Sequence, residues 1–157
     1  MSGDDFVVDI TSFAKNANRA LEDTAQAVVL NLFKGVIEAT PVGSPSIWKD
    51  QEAAARAVAN GYTGGRARGN WQLTDGAEAN GVLDFSNGTE GLRAADNTIS
   101  ELSRIKVGTR HFLTNNLPYI NRLEYEGHSG QAPDGMVRKN MLRIMFTLRE
   151  ITRENAL

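Results

Sequence analysis

The side chains best suited to grip a partner sit in the run GYTGGRARGNW, where Arg66 and Arg68 flank a glycine turn just ahead of Trp71. Guanidinium and indole together can hold a phosphate or stack on a base. The same residue types also form the energetic centres of protein interfaces. The net charge of −2 favours the protein interface, because nucleic-acid binders usually carry a strong basic excess. The glycines match neither the Walker lysine pattern nor the dinucleotide fingerprint, so they read as a loop that turns sharply and approaches a neighbour closely.

Acid–base and nucleophilic chemistry find less material. Glu124 and Glu126 are close in sequence, but at i and i+2 on a helix they point to different faces and read as exposed acids. His111 stands beside Phe112 in a strand pattern and reads as a structural histidine, while His128 follows a glycine and reads as exposed. The chain has no G-x-S-x-G elbow, no H-E-x-x-H and no cysteine, so the standard nucleophile and zinc templates are missing. The expectation is a protein with no catalytic residues, no cofactor and no metal.

At 157 residues, with 41% hydrophobic and 23% charged residues, the composition is that of a single globular domain, 1–157. No apolar run approaches the ~20 residues that a bilayer requires, and no signal-peptide pattern opens the chain. Synthesis in a reducing cytoplasm is expected. The charges are unevenly spread. Met1 to Glu38 holds six acids against three bases, whereas from Ser129 onward five bases (Arg138, Lys139, Arg143, Arg149 and Arg153) face three acids. Such ends either dock head to tail between copies or are two solvated helix faces.

Around these residues the pattern predicts an α+β fold. Residues 1–10 form an N-terminal arm or a short strand at FVVDI. A long helix capped at Thr11 or Ser12 follows, with Ala14, Ala17, Leu21, Ala25, Val28, Leu32 and Val36 at helical spacing, ending near Ala39 because Pro41 restricts Thr40. Residues 43–65 form an inserted loop containing a short helix, Asp50 to Asn60. NWQLTDG alternates as a half-buried strand, GVLDFSNG is a second candidate strand, and DNTISELSR is a short helix or a turn. RIKVGTRHFLTNN supplies a strand with Val107 and Phe112 or Leu113 inward. PYINRLEYE makes about two helical turns, stopped by Gly127. In the last helix Val137, Met141, Ile144, Met145, Leu148 and Ile151 mark the buried face. The long N-terminal and C-terminal helices then pack on one side of a small antiparallel sheet.

Several segments in order resemble a known family. ATPVGSPSIWK, then GYTGGRARGNWQ, then LTNNLPYINRLEYEGHSGQAPDGMVR look like the neck and tail-completion proteins of tailed bacteriophages, the minor tail protein Z-like head–tail connectors. The resemblance covers roughly Thr40 to Arg138. It departs from the family at the insertion Gly43 to Tyr62, which replaces a short Pro-Val-Asp-Thr-Gly link, and at Gly76 to Ser103, which matches nothing distinctive.

The resemblance implies a structural virion protein made in the host cytoplasm. It would form a homo-oligomeric ring in the neck, hexameric or dodecameric, next to a head–tail adaptor, a tail terminator or tail-tube proteins. It would complete the tail or connector and help retain packaged DNA, which it can face in the lumen. The interface residues expected on this basis are Trp48, Tyr62, Arg66, Arg68 and Trp71 in the first half. In the second half they are Asn115, Asn116, Tyr119, Glu124, Tyr125 and Arg138. TNNLPYINRLEYEG is expected to build a rigid ledge, with Asn115 and Asn116 satisfying backbone groups at a strand end. The alternative is a nucleic-acid-binding module using Arg66, Arg68 and Trp71.

Overall fold

The computed structural model describes the backbone of residues 3–85 and 88–154 and the side chains of residues 15–85, 89–149 and 153. Helix α1 (Gly3–Ala39) is followed by a 3-10 turn, Pro45–Ile47, and by α2 (Gln51–Ala59). The one-turn helix α3 (Arg66–Gly69) leads into strand β1 (Gln72–Asp75). Helix α4 (Gly88–Glu101) runs into a 3-10 turn, Leu102–Arg104, and strand β2 (His111–Thr114) pairs back on β1. Helices α5 (Ile120–Tyr125) and α6 (Val137–Glu154) complete the chain. The two strands are antiparallel, with Leu73 opposite Leu113 and Asp75 opposite His111. The fold is α+β, as the pattern predicts.

The 37-residue α1 is about 55 Å long at 1.5 Å per residue. Phe6 and Ile10 extend the same four-residue spacing backwards from Ala14, so FVVDI is the start of this helix and not a strand, and Thr11 and Ser12 do not cap it. At its other end Pro41 stops it. Thr40 turns inward there, its hydroxyl donating to the Val36 carbonyl at 2.8 Å. Arg68 reaches across the chain to the exposed carbonyls, donating from Nε to Thr40 O and from Nη2 to Glu38 O, both at 2.9 Å. A guanidinium there neutralises orphan acceptors and complements the negative end of the helix dipole.

Ile37, Leu102, Ile105 and Met136 are fully buried, and Val36, Trp71, Leu73, Leu117 and Leu123 join them in one core. The core therefore lies between the C-terminal third of α1, the small sheet and the turns around it. Helices α3 and α4 touch backbone to backbone: a Cβ on Gly69 would stand 2.2 Å from the Gly91 carbonyl oxygen.

Three local expectations are corrected. Gly81–Phe85 is irregular and not a strand, Ser86 and Asn87 lie outside the described residues, and Gly88 already begins α4. The Leu83 backbone is instead satisfied by the buried Asn70, which accepts from Leu83 N at 2.8 Å and donates to Leu83 O at 3.1 Å. Val107 is half exposed, because strand β2 begins only at His111 and Lys106–Thr109 form a turn.

The third correction concerns α6. Met141, Leu142, Met145 and Phe146 are between 46% and 65% exposed, and Leu148 is 38% exposed. Ile151 lies outside the described side chains. The helix meets its own chain through Asn140, Arg143, Ile144 and Thr147, which face Asn31, Lys34, Gly35 and Glu38 of α1. The apolar face is real, but most of it looks away from the body.

Candidate interaction surfaces

The candidate residues divide into those that build the body and those on its surface. Trp71 is buried, its indole Nε1 donating to the Thr40 hydroxyl at 2.7 Å. Trp71 is therefore not presented to a partner, while the half-buried Arg68 spends two of its donors on the end of α1. Both placements share one cause. The Thr-Pro-Val and Arg-x-Arg-x-x-Trp segments meet at Thr40, whose carbonyl accepts from Arg68 and whose hydroxyl accepts from Trp71.

Asn115 and Asn116 satisfy backbone groups as expected. Asn115 Nδ2 donates to Ala67 O at 2.8 Å, and Asn116 Nδ2 donates to Ala79 O at 2.7 Å and Gly81 O at 3.1 Å. They tie the end of β2 to α3 and to the irregular segment. His111 is also structural: Nδ1 lies 2.6 Å from Asp75 Oδ1, and Nε2 lies 3.0 Å from Lys106 N and 3.1 Å from Lys106 O.

Glu124 is the functional residue that helical spacing alone misassigns. It is 5% exposed, not a surface acid. Its Oε2 accepts from Met136 N at 2.7 Å and Val137 N at 2.9 Å, and its Oε1 accepts from Arg138 N at 2.9 Å. The carboxylate thus caps the N-terminus of α6 from another helix. Burial acts to raise its pKa, but the hydrogen bonds from the Arg138, Val137 and Met136 amides and the Arg138 side chain outweigh it and hold the pKa below its ordinary value. Arg138 Nε lies 3.3 Å from Oε1, and its Nη2 donates to the Glu124 carbonyl. Gly135 makes room with φ +81°; a Cβ there would come within 2.5 Å of Glu124 O. The sequence carried a signal for this cap. No Ser, Thr, Asp or Asn immediately precedes Val137, so α6 lacks its own N-cap and needs an acceptor from elsewhere.

Four expected interface residues come together in a cleft of about 460 Å³. Trp48, Tyr62, Arg66 and Tyr119 line it together with Ile47, Lys49, Leu123 and His128, and among the described residues no carboxylate lines it. The insertion folds against the body to make this wall, with α2 capped by Asp50, whose side chain accepts from Ala53 N at 2.9 Å. The Trp48 and Tyr62 rings lie 5.6 Å apart at 47°. Burial raises the pKa of both Tyr62 and Tyr119, with Arg66 acting against it, so both hydroxyls stay protonated donors. Arg66 has a long contact of 3.8 Å to the exposed Asp84.

Tyr125 and Arg138, the remaining two, mark a second surface. Arg138 lies over the Tyr125 ring at 5.0 Å from its centroid. From there a shallow groove of about 610 Å³ runs along α6 past Pro133, Asp134, Lys139, Leu142, Arg143 and Phe146. Its floor is apolar and aromatic and its rim is basic, with a single acid.

No protein-family model, curated protein or solved structure matches the chain. Among the described residues, no helix is long and apolar enough to cross a membrane.

Proposed function

We propose that the chain is a structural virion protein that assembles into a homo-oligomeric ring in the head–tail neck of a tailed bacteriophage. The ring would complete the tail or connector and help keep packaged DNA in place, with adaptor, terminator or tail-tube proteins as neighbours. The observation that carries this reading is the uncovered apolar surface of α6, where Met141, Leu142, Met145 and Phe146 stand between 46% and 65% exposed. Contiguous apolar surface of this kind marks a protein interaction site. Support also comes from the segments that resemble the neck family. They supply the Thr40–Arg68–Trp71 junction, the Asn115 and Asn116 ties and the Glu124 cap, the parts that stiffen a building block.

Mass photometry of the purified chain, followed by cryo-electron microscopy of the particle that yields it, tests the reading. A ring of defined copy number on the head–tail axis is the expected result. A chain that stays monomeric and is missing from particles overturns it.

A further inference from the structure

We propose that the groove on α6 receives the N-terminal half of α1 from a second copy of the chain, so that copies join head to tail. The inference rests on the ring reading above and specifies its contact.

Two uncovered surfaces motivate the pairing. The apolar stripe that packs Leu32 and Val36 of α1 against the core continues through Val28, Ala25, Leu21 and Ala17. Between Lys15 and Ala25, however, the chain's own body does not cover it. Every residue from Lys15 to Ala25 is exposed, and Leu21 is 69% exposed. A polar surface helix would not maintain this stripe, and a helix stripped of tertiary contacts is marginal in water. From Gly3 to Ala25 the segment extends about 33 Å at 1.5 Å per residue, enough to reach beyond its own body.

The second surface is the groove of α6, where Leu142 and Phe146 are 58% and 65% exposed. On a helix, Lys139, Leu142, Arg143 and Phe146 lie at three- and four-residue steps and so share one face. That face is turned by roughly 100° around the helix from the side on which Asn140, Ile144 and Thr147 meet α1 of the same chain, and Arg143 stands at the edge between the two. Lys139, Leu142 and Phe146 take no part in the internal contact, so the groove can accept a second helix while that contact stays closed.

Charge selects the occupant. Between Gly3 and Ala25 the sequence of α1 carries five acids, Asp4, Asp5, Asp9, Glu22 and Asp23, against Lys15 and Arg19. Helix α6 carries five bases, Arg138, Lys139, Arg143, Arg149 and Arg153, against Glu150 and Glu154. Apolar stripe on apolar floor with opposite rims gives both burial and orientation. Because the two surfaces differ, the contact is heterologous, and repeated around an axis it closes into a ring or runs on as a filament.

The test uses the full chain and mass photometry, with circular dichroism to check folding. The substitutions lie on exposed side chains. E22K/D23K and K139E/R143E are each expected to weaken assembly at least tenfold. Mixed together, they should assemble again in alternation, since each reversed surface then meets its complement. In addition, the variant L21C/F146C, in a chain with no other cysteine, should give a ladder of disulfide-linked oligomers under mild oxidation. If both charge variants assemble like the wild type and no ladder forms, the α1–α6 contact is wrong and the ring uses another surface. A wild type that stays monomeric at all accessible concentrations and is missing from particles instead overturns the ring reading itself.

Discussion

Replacing Glu124 with glutamine tests whether the fold depends on a buried cap supplied between helices. The carboxylate accepts three backbone amides, from Met136, Val137 and Arg138, at 2.7 to 2.9 Å. Glutamine is nearly isosteric, but only one of its two polar atoms accepts. If its oxygen keeps the Met136 and Val137 amides, its NH2 faces the Arg138 N–H, donor against donor. Hydrogen bonds to charged groups contribute about 1.5–3 kcal/mol each, and breaking a buried charge arrangement costs about 3–5 kcal/mol. One lost acceptor plus one repulsive contact places the expected loss near 3 kcal/mol. For a chain of this size each kcal/mol shifts the melting temperature by roughly 2–4 °C, so a drop of about 6–12 °C is expected by differential scanning calorimetry at pH 7.

The pH dependence separates this cap from an ordinary surface ion pair. The folded-state pKa of Glu124 lies below its usual value of 4.5. Its stabilisation is therefore fully present above the unfolded-state pKa and is lost as pH falls through the folded-state value. The difference between wild type and E124Q should be constant near neutrality and shrink as the pH falls below about 4.5. R138A should cost less, about 1 kcal/mol, because the Arg138 side chain is 48% exposed and such pairs are weak. An E124Q melting temperature within about 1 °C of wild type at pH 7 would refute the cap, as would a deficit that persists unchanged into acid.

Three shorter predictions accompany it. R68A should destabilise by about 1–3 kcal/mol, since the carbonyls of Glu38 and Thr40 lose their donor, and R68K should recover little because an amine does not reproduce the two-pronged reach; urea titration measures both. W71A should cost about 3–5 kcal/mol and lower the yield of folded protein, whereas normal stability would contradict the burial of the indole. In the aromatic cleft, Arg66, with its long contact to the exposed Asp84, stands with Lys49 and two tyrosines in a lining without a carboxylate among the described residues, which predicts weak single-strand DNA binding that fades with salt. By fluorescence anisotropy, R66E should weaken it at least threefold while W71F leaves it unchanged; equal effects would restore the original Arg66, Arg68 and Trp71 grouping.

Local grammar was readable wherever a residue acts on its own neighbourhood. Asp50 and Asn60 bracket α2 as predicted, Gly127 stops α5 with φ +59°, and Pro41 ends α1. Each of these effects is confined to one or two turns. The misassignments share a different property: their partner is far away in sequence. Glu124 looks like a surface acid because the i, i+2 rule treats α5 as an isolated helix, while its partners lie 12 to 14 residues on. Arg68 and Trp71 look available because Thr40, the group that occupies Trp71 and shares Arg68, is 31 and 28 residues earlier.

The stripe on α6 failed in another way, and that failure is informative. Its period correctly predicts a helix with an apolar face, but periodicity says only that the face must be covered, not by which molecule. The same holds for α1, whose stripe outruns the body that covers its last turns. A chain that packs Ile37, Leu102 and Met136 to full burial, and leaves none of its described buried side-chain polar atoms without a partner, has the means to finish its own core. Apolar surface left over on both of its longest helices is therefore better explained as half of a contact than as imperfect packing. The opposite net charges of the two surfaces then make a second copy the most economical partner, and the charge-swapped mixture separates that partner from any other protein.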